Sequence, residues 1–247
     1  MTCSRSTRSS LRRRCLRKPE METLEKLKGE IAAIGEKLVA CQENCEGVCR
    51  NQNEGILPRC LILETDNRSI DKGSIVCGVN PAPAFPAEVE FYKKNGATYK
   101  SILEWWEKYK LKDIRYYARL RAFVSEIGLT GPILWTDIAK CQNESDEVDL
   151  SIKNHPQTFR RCSALFLTQE IEKCPSDWPI IAAGREAYLA LLYLCPNRAL
   201  IGIPHPTGSF ANAQFLRMFE SGLKLKPEIL LRIQKHFERE PRGVLKI

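Results

Sequence analysis

Hydrophobic and polar residues follow two patterns that alternate along the chain. Short apolar runs that end in glycine, proline or a polar residue lie at residues 55–64, 74–79, 131–138, 179–184 and 199–203. Such runs are typical of strands buried on both faces. Segments with apolar residues at helical spacing precede and separate them, as in residues 21–42. The alternation predicts an α/β fold, namely a three-layer α/β/α sandwich with a central, mostly parallel sheet of four to five strands.

Three of the predicted strands end in a polar residue. Asn80 follows the second run in the stretch GVNPAPA, Asp137 ends the stretch PILWTD, and His205 follows the last run in the stretch HPTGS. Parallel strands end at the same edge of a sheet, and open α/β sheets bind ligands beyond that edge. We therefore expect Asn80, Asp137 and His205 to line one cleft.

The positive charge of the chain is concentrated at its start. The 247 residues carry a net charge of +8, and residues 1–20 hold seven basic side chains and one acidic side chain. This composition predicts a basic disordered tail or an organelle-targeting segment over 1–20, unless the protein starts at Met21, and a single domain over 21–247. No apolar run reaches the roughly 18–20 residues that span a bilayer. We expect an intracellular protein of the cytoplasm, nucleoid or nucleus without a membrane partner.

The chain has eleven cysteines and no apolar secretory segment. Cys41, Cys45 and Cys49 follow the first predicted helix at steps of four residues, and Cys141 and Cys162 lie at the two ends of a polar connection. In a reducing compartment, clustered thiolates indicate a metal site more often than disulfides. The alternative is that these cysteines are small buried side chains.

These motifs together resemble those of the uracil-DNA glycosylase superfamily, especially its iron–sulfur branches. GVNPAPA is similar to the GxNP form of the water-activating motif, and HPTGS to the late His-Pro-Ser/Thr motif. WTDIAKC followed by Cys162 resembles the TNxxKC…C segment of the family 4 enzymes, and IIAAGREA resembles their fourth strand and helix start. The resemblance covers about residues 22 to 221. It implies a monofunctional DNA glycosylase that hydrolyses the N-glycosidic bond of a deaminated base, chiefly uracil, in base excision repair.

The resemblance also implies a role for each matched residue. Asn80 falls where the family positions the attacking water, and His205 where it holds O2 of the departing base. Tyr99 falls near the aromatic residue that stacks on the flipped base. Phe210 falls where the family inserts a wedge into the duplex. The motif residues Gly78 and Ser209 are assigned to the substrate site with them.

Asp137 departs from the family pattern, which has Asn at this position. The Asn side chain offers uracil both an acceptor and a donor, whereas a carboxylate only accepts. Asp137 would accept from N3–H but repel O4, so hypoxanthine, xanthine or another damaged base stays open as the substrate. A helix N-cap is the alternative role for Asp137.

The resemblance further implies a [4Fe–4S] cluster, with zinc as the second choice of metal. The family uses one Cys pair after the first helix and a second pair that matches Cys141 and Cys162. Two choices stay open for the first pair. They are Cys41 with Cys45, and Cys45 with Cys49. The helix directly before Cys41 favours the former choice, and Cys60 is a more remote candidate.

Two other functions are compatible with the same residues. The first is a catalytically inactive superfamily member that binds damaged or single-stranded DNA. The second is a metal-binding α/β protein that acts on a free nucleoside or another small ligand. The expected partner is DNA that contains a damaged or deaminated base, and the expected state is a monomer.

Overall fold

The computed structural model describes residues 18–65, 70–109, 114–145, 151–207 and 209–247. Its helices are α1 (Lys18–Val39), α2 (Pro86–Asn95), α3 (Tyr99–Tyr109), α4 (Arg115–Glu126), α5 (Pro156–Cys162), α6 (Thr168–Lys173), α7 (Arg185–Leu194), α8 (Ser209–Leu216) and α9 (Pro227–Arg239). Its strands are β1 (Val48–Cys49), β2 (Leu61–Glu64), β3 (Ser74–Gly78), β4 (Ile133–Asp137), β5 (Gln142–Asn143), β6 (Ile180–Ala183), β7 (Leu200–Ile203) and β8 (Val244–Lys246).

Six strands form the central sheet in the order β2-β4-β3-β6-β7-β8. The edge strand β2 is antiparallel to β4, and the other five strands run parallel to one another. Every residue of β3, β4, β6 and β7 is buried, because helices flank the sheet. The predicted α/β sandwich with a mostly parallel sheet is confirmed.

The sheet has one strand more than the four to five that the apolar runs predict. The additional strand is β8, which pairs with β7 at the edge of the sheet. Only Leu245 of its three residues is buried, so the strand carries no continuous apolar run. Residues 55–64, which predict a turn and a short strand, contain β2 at Leu61–Glu64.

The first helix packs its apolar face onto the domain, as its spacing predicts. Its buried side chains are Leu24, Leu27, Ile31, Ile34, Leu38 and Val39. The helix begins at Lys18, so the last three residues of the predicted basic tail are helical. The rest of that predicted tail, residues 1–17, lies outside the described residues.

The predicted helix near 156–172 is formed by α5 and α6, which a π-helical turn at Ser163–Leu167 joins. Isolated π-helical turns are rare and occur often at functional sites. This one lies between Cys162 and Glu170. In the described segments, no helix has the length and apolar character that a bilayer span requires.

Candidate functional site

A cavity of about 370 Å³ opens at the carboxyl edge of the parallel strands. Gly78 and Asn80 line it at the end of β3, Asp137 at the end of β4, and His205 after β7. The structure thus brings together the three polar strand ends that the sequence predicts in one cleft. Ser209 begins α8, but the side chains of Ser209 and Phe210 lie outside the described part, so their roles stay predictions.

Asp137 lines this cavity with a buried carboxyl group. Its oxygens accept hydrogen bonds from the Cys60 thiol and the Gly78 N–H, and Lys140 and Arg59 lie near enough to act on its charge. Burial raises the pKa of Asp137 to about 6, against the lowering effect of these donors and cations. The carboxyl group therefore changes between donor and acceptor close to neutral pH.

Cys60 is a cavity residue rather than part of the cysteine group. It precedes β2 with a φ of 66°, which is uncommon for a residue other than glycine. Its neighbour Arg59 fixes the backbone there by donating its N–H to the Lys140 carbonyl at 2.8 Å. This conformation places the Cys60 thiol against Asp137. Nothing in the local sequence signals that contact.

The side-chain amide of Asn80 is held by protein acceptors. Its Nδ2 donates to Asn143 Oδ1 at 2.7 Å and to the Pro81 carbonyl at 3.2 Å. Because Nδ2 is used in this way, the amide oxygen is the atom through which Asn80 can accept a hydrogen bond from a water molecule.

The ring of His205 is oriented through Nδ1. The Thr207 carbonyl lies 2.9 Å from Nδ1, and the Thr207 N–H and hydroxyl each lie 3.3 Å from it. The contact with the carbonyl needs a proton on Nδ1, whereas a hydrogen bond from the Thr207 N–H needs Nδ1 to accept, so the shorter contact favours a proton on Nδ1. The Tyr116 ring lies against His205, with 5.4 Å between the ring centroids. Arg119 holds the same loop by donating to the Pro206 carbonyl at 2.5 Å.

Tyr99, which the resemblance places near the flipped base, does not line this cavity. The side chain is buried, and its hydroxyl donates to the Leu61 carbonyl at 2.8 Å. Its ring lies where a side chain at Gly35 of α1 would stand. Tyr99 is therefore a core residue between α1 and β2. The aromatic residues that line the cavity are Phe85, Tyr92, Trp105, Trp106, Tyr116, Tyr117 and Trp135.

Among these aromatic residues, Phe85 is the best placed to meet a ligand. It is about half exposed, whereas Trp105 and Trp106 are buried in the core. It directly follows the GVNPAPA stretch and precedes α2. Its adjacency to that motif was the signal that could have selected it from the sequence. No comparable signal marks Tyr116 on α4.

Four of the predicted metal ligands form a group beside α1. Burial and, to a smaller extent, nearby Cys162, Cys41 and Cys45 raise the pKa of Cys141 to about 12. Burial likewise raises the pKa of Cys162 to about 12, with Cys45 among its neighbours. The four thiols are thus near enough to one another for their charges to interact. Cys49 lies on β1 opposite Gln142, the residue that follows Cys141, so the choice between Cys41 with Cys45 and Cys45 with Cys49 stays a prediction.

Hydrogen-bond donors and cations beside this group oppose the rise in the thiol pKa values, although burial outweighs them. The Lys140 N–H donates to Cys162 Sγ at 3.3 Å, and Arg161 and Arg50 lie close to Cys45 and Cys141. Within the described ranges, no three His, Cys, Asp or Glu side chains converge as the ligands of a metal ion do. The ligands of a [4Fe–4S] cluster each bind a different iron and need not converge on one point.

A buried ion pair lies between the cavity and the cysteine group. Lys140 Nζ contacts Glu170 Oε2 at 2.7 Å, and both side chains are fully buried. Thr136 donates to the same carboxylate oxygen at 2.5 Å. Burial opposes the charged form of Lys140, yet the Glu170 carboxylate raises the Lys140 pKa above its ordinary value. Lys140 thus stays charged within an ion pair that has no net charge.

Comparison with known proteins gives no match: no family model, no curated protein and no solved structure matches this chain. The case for a function therefore depends on the cavity, the cysteine group and the motifs that form them.

Proposed function

We propose that this protein is a monofunctional DNA glycosylase that hydrolyses the N-glycosidic bond of a deaminated base, chiefly uracil. The observation that carries the proposal is the single cavity lined by Asn80, Asp137 and His205. Its polar groups suit the edge of a base and its aromatic residues suit the face. DNA with a damaged base is the proposed partner, and a monomeric, intracellular protein is part of the same proposal.

The proposed reaction does not need a strong general base. Cleavage of a nucleoside C–N bond passes through an oxocarbenium-like sugar, as in glycoside hydrolysis. The Asn80 amide oxygen orients one water toward the sugar carbon, although an amide cannot remove a proton efficiently. When Nε2 carries a proton, the His205 ring donates a hydrogen bond to O2 of the base as negative charge develops there. The base must first leave the stack, at a cost of about a few kcal/mol.

Asp137 decides which base edge the cavity accepts. As a carboxylate it accepts from N3–H of uracil and repels O4, while as a neutral acid it can donate to O4. Hypoxanthine and xanthine also present an N–H beside a carbonyl, so they belong in the same test. Phe85 is the proposed stacking residue, because it is the half-exposed aromatic side chain beside Asn80.

The cysteine group supports a cofactor in this proposal. Cys41, Cys45, Cys141 and Cys162 would hold a [4Fe–4S] cluster, which would supply a structural crosslink between the end of α1 and the 141–162 connection. Lys140, Arg50 and Arg161 would offset the negative charge of its thiolates.

Base release from end-labelled oligonucleotides tests the proposal. Each oligonucleotide carries one uracil, hypoxanthine or xanthine, single-stranded or mismatched, and alkali reveals the abasic site. We expect alkali-dependent breaks with wild type and none with Asn80→Ala or His205→Ala, while both variants still bind the DNA. If brown protein that retains its iron produces no breaks with any substrate, the proposed glycosylase activity is contradicted.

A DNA-binding protein without activity is the second candidate. The observation that favours it is Asp137 in place of the family's Asn, because a buried carboxylate opposes O4 of uracil. This candidate predicts tighter binding to lesion-containing DNA than to undamaged DNA, with no base released by any form of the protein.

A further inference from the structure

A small two-stranded ribbon links the cysteine group to the loop that carries Asn80. The ribbon consists of β1 and β5, and its register pairs Val48 with Asn143 and Cys49 with Gln142. β5 begins directly after Cys141, and β1 begins three residues after Cys45. Both strands are therefore connected to the cysteine group by very short segments of chain.

Asn143 on this ribbon orients the Asn80 side chain. The 2.7 Å hydrogen bond from Asn80 Nδ2 to Asn143 Oδ1 joins residues that are 63 positions apart. The other contact of Nδ2, with the Pro81 carbonyl, is local and longer at 3.2 Å. Terminal amide torsions are broad, so an amide without a fixed partner can exchange its oxygen and nitrogen by rotation. Asn143 thus determines which atom of the Asn80 amide faces the cavity.

Gln142 holds the backbone that follows Asn80. Its Oε1 accepts from the Ala84 N–H at 2.9 Å and from Arg59 Nη1 at 3.0 Å. Arg59 is buried, also donates to the Ala82 carbonyl and pairs with Glu88 at 3.4 Å. Because the two prolines of this loop have no N–H, the Ala84 amide is one of the few donors that can anchor it.

We propose that Asn143 is a positioning residue for Asn80. We also propose that the β1–β5 ribbon keeps this loop ordered only while the cysteine group is intact. The catalytic part of the inference rests on the proposed function. The mechanical part rests only on hydrogen bonds and connectivity, so the two parts can fail separately. In this arrangement, loss of whatever holds the four cysteines together loosens β5 and frees the loop around Asn80.

Hydrogen exchange at the Ala84 amide tests the mechanical part without any activity. In protein labelled with ¹⁵N-alanine, we expect faster exchange at Ala84 in Gln142→Ala than in wild type. Gln142→Glu, which keeps an acceptor oxygen, should restore protection. Cys141→Ser should also accelerate exchange at Ala84, while alanines in α1 keep their protection. Unchanged exchange at Ala84 in Gln142→Ala or in Cys141→Ser would overturn the coupling.

Kinetics test the catalytic part. We expect Asn143→Ala to lower kcat for base release by about 10–100-fold, as loss of a supporting hydrogen bond does at other sites, with little change in DNA affinity. Asn143→Asp keeps an acceptor oxygen and should recover most of this loss. The Asn80→Ala/Asn143→Ala double variant should be no slower than Asn80→Ala alone. Additive losses, or a wild-type kcat in Asn143→Ala, would contradict the positioning role.

The two sets of measurements separate this inference from the proposed function. If wild type releases no base while hydrogen exchange at Ala84 responds as expected, the proposed glycosylase activity is wrong and the proposed coupling between ribbon and loop is supported. If wild type releases base while Ala84 exchange and the Asn143 variants do not respond, the glycosylase stands and the coupling is wrong.

Discussion

Gly78 and Asp137 lie directly opposite each other on neighbouring parallel strands, and the carboxylate occupies the space of a side chain at position 78. A Cβ on Gly78 would lie only 2.3 Å from Asp137 Oδ1 and 2.9 Å from the Tyr116 hydroxyl. The glycine in this strand end therefore makes room for a functional group.

Gly78→Ala should displace the Asp137 carboxylate from its position. We expect base release to fall by about 100-fold and the free energy of unfolding by about 1–3 kcal/mol. Gly29→Ala is the matched control, because a Cβ there meets no atom within 4 Å and alanine favours a helix. Base release and urea unfolding measure the two effects. Normal activity in Gly78→Ala would show that the position of Asp137 does not matter.

Uracil release should depend on the protonation of Asp137. Its pKa of about 6 means that the group is a neutral donor below that pH and a charged acceptor above it. We therefore expect release to fall as pH rises through about 6. Asp137→Asn should remove that part of the pH profile and be faster than wild type at pH values above 6. Identical profiles for the two proteins would exclude Asp137 as the titrating group.

The same carboxyl group should influence stability. Because its folded-state pKa lies above the ordinary value of 3.8, the folded protein binds this proton more tightly than the unfolded chain does. The contribution of Asp137 to the free energy of unfolding should therefore decrease as pH rises between these two values. Urea unfolding of wild type and Asp137→Asn across that range measures the difference. A constant difference would contradict the raised pKa.

The buried pair of Lys140 and Glu170 should be sensitive to the loss of one partner. Glu170→Gln leaves the Lys140 ammonium buried without its counter-charge, at an expected cost of about 3–5 kcal/mol in the free energy of unfolding. The exposed pair of Lys173 and Glu30, at 3.4 Å, is the control. Glu30→Gln should cost less than about 1 kcal/mol. Equal losses of unfolding free energy in the two variants would mean that burial does not increase the cost of removing one partner of an ion pair.

Iron content distinguishes the cysteines. We expect about four iron atoms per chain in wild type purified without oxygen. Cys41→Ser, Cys45→Ser and Cys162→Ser should lose iron and visible absorbance, whereas Cys49→Ser and Cys60→Ser should retain both. Zinc in place of iron, or loss of iron in Cys49→Ser, would require a different ligand set.

Local patterns in the sequence were sufficient for the strands that lie inside the sheet. The runs that end at Gly78, Asp137, Ala183 and Ile203 are apolar because both of their faces are covered. Parallel packing then brings their polar ends to one edge, so Asn80, Asp137 and His205 could be placed together in advance. The edge strand β8 could not be predicted in this way, because only Leu245 of its three residues is buried.

Only the tertiary structure decided which side chains meet at that edge. Tyr99 and Phe85 both lie near the GVNPAPA stretch, but the packing of α3 against α1 draws Tyr99 into the core. The contacts of Asp137 with Cys60 and of Asn80 with Asn143 join residues far apart in the chain. Such contacts depend on strand register and loop path, which leave no periodic trace in the sequence. The sequence by itself determined the architecture and the polar strand ends, and long-range packing determined their partners.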